Sequence, residues 1–168
     1  PITLSVSRKT QLLLGFAGVS AGMVREDEGS LDFSPEASAR QNKNADLNAR
    51  LALARSHPEC PFLSIHLNQF SQTVYSGAQV FYSPNHPKSV PLAETLQKTL
   101  RQALDPANDR KIKPAPEGVF LMKNITAPAV TIECGFLSNP EECALLRQET
   151  YQTKIALAIA CGYLESRG

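Results

Sequence analysis

Residues 129–142 read AVTIECGFLSNPEE, and their reading decides the fold. Ala129 to Glu133 is a short apolar run that reads as a strand. It closes on a carboxylate. Gly135 then allows a sharp turn. Asn139-Pro140-Glu141-Glu142 opens a helix, with Asn139 as N-cap and Pro140 at the first helical position. Glu142, three residues past the cap, can close a capping box. A strand that feeds directly into a helix is the repeating element of α/β proteins.

The same alternation recurs on either side. Phe62 to His66 (FLSIH) and Ala78 to Tyr82 (AQVFY) read as strands, as do Val119 to Met122 (VFLM) and Ser20 to Arg25. With Ala129–Glu133 these make five candidate strands. Helical spacing covers residues 3–16, where Val6, Lys9, Leu13 and Phe16 or Ala17 fall near one face. EDEGSLDF (26–33) is a polar loop. Ser34-Pro35-Glu36 then predicts the start of a helix reaching about Ser56, with Ser34 as N-cap and Leu47, Leu51 and Ala54 at core spacing. His57-Pro58 stops it. Leu92, Leu96, Leu100 and Ala103 mark a helix ending at Asp105-Pro106. Ile155, Ile159, Tyr163 and Leu164 mark the last one. No repeat or linker interrupts the pattern. It predicts an α/β fold: a mixed, mostly parallel sheet flanked by helices on both faces, in one domain over residues 1–168.

Composition narrows the function classes. The chain has 168 residues and a net charge of +1, from 17 basic and 16 acidic side chains. No basic block points to nucleic acid, and no apolar run is long enough to span a membrane. The four cysteines, Cys60, Cys134, Cys143 and Cys161, form no close pair, so neither a cysteine-only zinc site nor a disulfide framework is signalled. The chain opens PITLSVSRKTQLLL, on proline and without a basic leader, so sequence upstream of it is expected.

Two strands end in residues capable of chemistry. FLSIH ends on His66 and AVTIE ends on Glu133, and ligands of open α/β sheets gather beyond the carboxyl ends of strands. A buried carboxylate is costly unless it is paired or bound to something. Imidazole and carboxylate together suit metal-assisted hydrolysis, the histidine holding zinc and the glutamate taking a proton from water. Other readings remain open at this level: a structural histidine, a salt-bridged glutamate, or a Cys134 nucleophile served by His66. His57 beside Pro58 and His86 in SPNHPKS (83–89) read as surface residues.

The stretches FLSIHLN (62–68) and PAVTIECGFLSNPEE (128–142) resemble the two C-terminal signatures of the zinc-dependent N-acetylmuramoyl-L-alanine amidases, the Amidase 3 family. GAQVFYSPNHPKSVPLAETLQKTL (77–100) is similar to the family's strand, serine-bearing turn and following helix. RKIKPAPEGVFLMKN (110–124) is similar to its basic loop and next strand. ARQNKNADLNARLALA (39–54) resembles the spore-cortex, germination-related branch. The resemblance covers nearly the whole chain. It implies a mixed six-stranded sheet and hydrolysis of the amide between N-acetylmuramic acid and L-alanine in peptidoglycan, outside the cytoplasmic membrane. It implies one zinc held by two histidines and a glutamate, with a second glutamate as acid and base. His66 matches a zinc ligand and Glu133 the catalytic glutamate.

The start of the chain departs from that pattern. The family's first histidine lies in a GHGG turn, and its glutamate ligand lies just before the first helix. Neither motif occurs here. PITLSVSRKTQLLL aligns with that first helix, so both ligands and the first strand are expected upstream of Pro1. The same departure leaves a second expectation open, a non-catalytic family member that binds peptidoglycan. A protein partner that activates the enzyme is left open by the sequence.

Overall fold

The computed structural model describes all 168 residues. In chain order they form α1 (Ile2–Phe16), α2 (Ala39–Ser56), β1 (Phe62–Asn68), β2 (Gln79–Tyr82) and α3 (Ser89–Leu104). There follow β3 (Lys113–Pro114), α4 (Phe120–Asn124), β4 (Ala129–Phe136), α5 (Pro140–Leu146) and α6 (Glu149–Glu165). The strands lie in the order β1-β4-β2-β3. β4 is parallel to β1 and antiparallel to β2, and β2 is parallel to β3. The sheet is therefore mixed, with two of its three ladders parallel. β1 forms one edge.

Strand alternation sends successive β4 side chains to opposite faces. Val130, Ile132 and Cys134 enter a core with Val6 of α1, Leu96 of α3 and Ile159 of α6. Ala129 faces the other way, into a smaller core with Leu51 of α2 and Leu121 and Met122 of α4. Helices thus cover both faces, as expected. Leu96, Leu100, Ile132, Ile155 and Ile159 are fully buried, each burial contributing about 2 kcal/mol. The α3–α6 seam is close because α6 carries Gly162 there: a Cβ at 162 would lie 2.9 Å from the Leu96 Cα.

The structure departs from the sequence reading in five places. Val119–Met122 is not a strand; α4 begins at Phe120. A four-residue apolar run fits either state, and tertiary bonds decide it here. Asn85 donates to the carbonyls of Met122, Lys123 and Ile125, and Ser83 donates to that of Met122, closing the helix end. Ser20–Arg25 forms no strand; its Ala21 carbonyl is taken by the Gln11 side chain instead. The second helix starts at Ala39 with Ser38 as N-cap, not at Ser34. Ser38 and Gln41 close a full capping box, whereas Ser34 sits in a turn fastened by Asn42. β3 is a two-residue strand absent from the sequence reading, so five candidate strands become four. In α1, Lys9 reaches Glu149 at 3.0 Å and Phe16 is exposed, while Leu4, Val6 and Leu14 are buried.

Candidate active site

Backbone register builds the site. In the β1–β4 ladder His66 pairs with Glu133, and in the β4–β2 ladder Glu133 pairs with Gln79. Strands lie about 4.8 Å apart, so the three residues stand in one row across adjacent strands. All three are on the face opposite Val130, Ile132 and Cys134, the side that α2 and α4 cover. The ladder shifts register between His66 and Asn68, and Gly135 has φ +152°. The ladder therefore bulges just beyond the row and resumes at Asn68–Phe136, at the carboxyl ends where ligands of such sheets gather.

Glu133 is half-buried, and its Oε2 atom is buried without a hydrogen-bond partner. That desolvation pushes its carboxyl above the ordinary carboxylate pKa. A carboxylate with a free lone pair and a raised pKa is suited to taking up and returning a proton. His66 is exposed at the rim. Desolvation first, then the charges of Arg50 and Arg25, lower its pKa, favouring the neutral imidazole that a metal requires. Its Nε2 lies 2.8 Å from the Ser64 hydroxyl. Ser64 sits two residues earlier on the same face and orients the ring.

Gln79 is buried and held from the far side: its Nε2 donates to the Lys111 carbonyl (2.8 Å) and its Oε1 accepts from Arg110 Nη1 (3.2 Å). The Arg110 guanidinium also lies 4.8 Å from the Phe136 ring centroid, an arrangement that favours a cation over an aromatic face. Arg50, beside the histidine, pairs with Asp46 at 2.7 Å.

The other candidates lie elsewhere. Cys134 points into the opposite core at 1% exposure, and burial drives its thiol pKa far up. A thiol facing away from His66 and held neutral cannot act as its nucleophile, so the Cys134 reading is overturned. His57 contacts Ser56 and the Leu53 carbonyl at the end of α2, and His86 accepts from the Lys88 N–H within its turn. All four cysteines are free.

Sequence reasoning reached His66 and Glu133 but not Ser64, Gln79 or Arg50. Period-two alternation was enough to put Ser64 beside His66. Gln79 needed the antiparallel register, and Arg50 needed the packing of α2 over the sheet. As a zinc centre the donor set is partial. His66 supplies an imidazole and Glu133 an unpartnered oxygen, but nowhere do three His, Cys, Asp or Glu side chains converge to hold an ion. These residues fit one arm of such a centre.

Comparison with known proteins identifies the family. The family model for N-acetylmuramoyl-L-alanine amidase matches residues 1–164. A germination-specific N-acetylmuramoyl-L-alanine amidase of Bacillus subtilis is 36% identical over 165 residues, covering 97% of this chain and 68% of that protein. The chain spans only 29% of the B. subtilis amidase LytC, at 26% identity. Among solved structures, the CwlD amidase of Clostridioides difficile, determined in complex with the GerS lipoprotein, superposes with a TM-score of 0.93 at 39% identity. The match covers 99% of this chain and 84% of that one. An N-acetylmuramoyl-L-alanine amidase from Clostridium difficile 630 gives 0.82 at 26% identity, over 99% and 84% of the two chains. On these matches the chain belongs to the N-acetylmuramoyl-L-alanine amidase family, Amidase 3.

Proposed function

We propose that this protein hydrolyses the amide between the lactyl group of N-acetylmuramic acid and L-alanine in peptidoglycan, with Glu133 as proton acceptor and donor. The observation that carries the reading is the row on β1 and β4: His66 in register with a carboxylate whose inner oxygen has no protein partner. Glu133 takes the proton of the attacking water and passes it to the departing amine of L-alanine, so that nitrogen leaves neutral. His66 is a zinc ligand in this reading, held in orientation by Ser64. A zinc held there would supply Lewis-acid chemistry, polarising the scissile carbonyl and making water more acidic. Residues 1–168 gather no third His, Cys, Asp or Glu beside this pair. β1 lies at the edge of the sheet, where a strand added in register would bring its end beside His66.

The reaction takes place outside the cytoplasmic membrane, at the cell wall or spore envelope, where the substrate lies. No helix is long and apolar enough to cross a membrane. The similarity to a germination-specific amidase points to spore cortex as the first substrate to try. A lipoprotein is the first class of partner to test, because the solved relative was captured with one. Elemental analysis of the full-length protein tests the metal assignment: about one zinc per molecule in the wild type, lost in a folded His66→Ala variant. Stoichiometric zinc retained by that variant overturns the role of His66. A wild type that binds peptidoglycan without cleaving it replaces the enzyme with a binding module.

A further inference from the structure

Glu142 is a buried carboxylate outside the row just described. It is 9% exposed and has no ion-pair partner. Its side chain does not turn back to the cap residue of its own helix, as a capping box requires. Oε2 accepts the Phe136 N–H at 2.6 Å and Oε1 accepts the Gly77 N–H at 2.9 Å. Its own N–H donates to Asn139 Oδ1 at 3.0 Å. The carboxyl lies against Gly135, where a Cβ would come within 2.8 Å of Glu142 Cδ. One carboxylate thus joins the end of β4, just past Glu133, to residue 77, which precedes β2.

The residues before Glu142 extend this contact. Ser138 Oγ accepts the Phe70 N–H at 3.2 Å, Asn139 Nδ2 donates to the Thr73 carbonyl at 3.1 Å, and the Leu137 N–H donates to the Asn68 carbonyl at 2.8 Å. Segment 69–77 leaves the sheet three residues after His66 and returns two residues before Gln79. It therefore arches past the carboxyl end of β4, with Phe70, Val74 and Tyr75 exposed on it.

We infer that Glu142 is a positioning residue: it clamps segment 69–77 to the Gly135–Phe136 end of β4 and so fixes the strand end that carries Glu133. The inference rests on the amidase reading for its catalytic consequence, but its structural part stands separately. Charge-assisted bonds to backbone N–H groups are the strong ones, and two of them converge here. Glutamine cannot replace them, because its single carbonyl oxygen accepts while its NH2 meets a second donor head-on.

The test is Glu142→Gln in the full-length protein, read three ways. Amide exchange at Gly77 or Phe136 should accelerate about 10- to 100-fold, the loss expected for one charge-assisted bond, while Ile132 and Leu96 keep their protection. Turnover, kcat, should fall about 10- to 100-fold with KM within about threefold, as for misplacement of a catalytic group by a fraction of an ångström. Ser138→Ala, which removes one loop contact and leaves the buried carboxylate, should show a smaller loss in the same pattern. It also serves if Glu142→Gln does not fold. Unchanged exchange at both amides overturns the clamp. Activity lost only in proportion to unfolded protein, or a raised KM at unchanged kcat, overturns the positioning role. A wild type that releases no stem peptide defeats the amidase reading instead, and amide exchange then decides the clamp alone.

Discussion

Replacing Glu133 with glutamine should stabilise the metal-free protein while removing its chemistry. Glu133 Oε2 is buried without a partner, and desolvation raises the carboxyl pKa. Since the folded-state value lies above the unfolded one, the fold binds more protons than the unfolded chain between the two. Stability therefore declines as pH rises through that window, and the cost of the charge is fully present above the folded pKa and absent well below 4.5. A buried unsatisfied polar group costs about 1–3 kcal/mol. Glu133 belongs at the low end because it is only half-buried and because glutamine keeps an unpartnered atom. A gain of about 1 kcal/mol corresponds to a rise in Tm of roughly 2–4 °C for a domain of this size. The assay is thermal unfolding of wild type and Glu133→Gln with chelator present, at steps from pH 4 to pH 8. The difference should grow with pH and level off. A variant that melts below the wild type at pH 8, or a gain independent of pH, refutes the reasoning.

Two further perturbations probe the scaffold. Gly162→Ala should destabilise despite alanine's advantage of about 1 kcal/mol in helices. The new Cβ would sit 2.5 Å from Thr99 Oγ1 and 2.9 Å from the Leu96 Cα, and overpacking costs about 1–3 kcal/mol; calorimetry should show Tm lowered, and a raised Tm contradicts the seam. Asp46→Asn should cost about 1 kcal/mol at neutral pH, below the roughly 1.5–3 kcal/mol of buried hydrogen bonds to a charged group because the Asp46–Arg50 pair is partly exposed. Burial raises the Asp46 pKa, but hydrogen bonds from Arg50 and the Leu31 N–H, with the charges of Arg50 and Arg25, outweigh it and leave the value lowered. Its contribution is thus present above about pH 4 and fades as pH falls through the folded value. Denaturant titrations should show the variant and wild type converging below pH 3, and a pH-independent gap contradicts the assignment.

The parts of the fold read from sequence were those with a long or strongly marked pattern. Leu92, Leu96 and Leu100 recur every four residues over a 16-residue helix, and FLSIH and AVTIE are bounded runs closing on polar residues. VFLM misled because four apolar residues carry no period, and Asn85, which fixes them as a helix, lies more than 30 positions away. Ser34-Pro35-Glu36 misled because the helix is capped instead by Ser38, whose box with Gln41, three residues on, was not read. The site was legible in its two chemical residues because a strand-end carboxylate is costly. Its supports were not, because Gln79 and Glu142 act through register and long-range backbone bonds. Glu142 was read as the far half of a capping box. Asn139 does cap the helix, but the Glu142 side chain crosses to Gly77 and Phe136.

The central claim is that Glu133 drives amide hydrolysis in peptidoglycan. The direct measurement is the appearance of new alanine amino-termini when purified peptidoglycan is incubated with the full-length protein, wild type against Glu133→Gln. The wild type should release them steadily and the variant at least about 100-fold more slowly, the contribution of a positioned acid and base. Release by Glu133→Gln at the wild-type rate would contradict it.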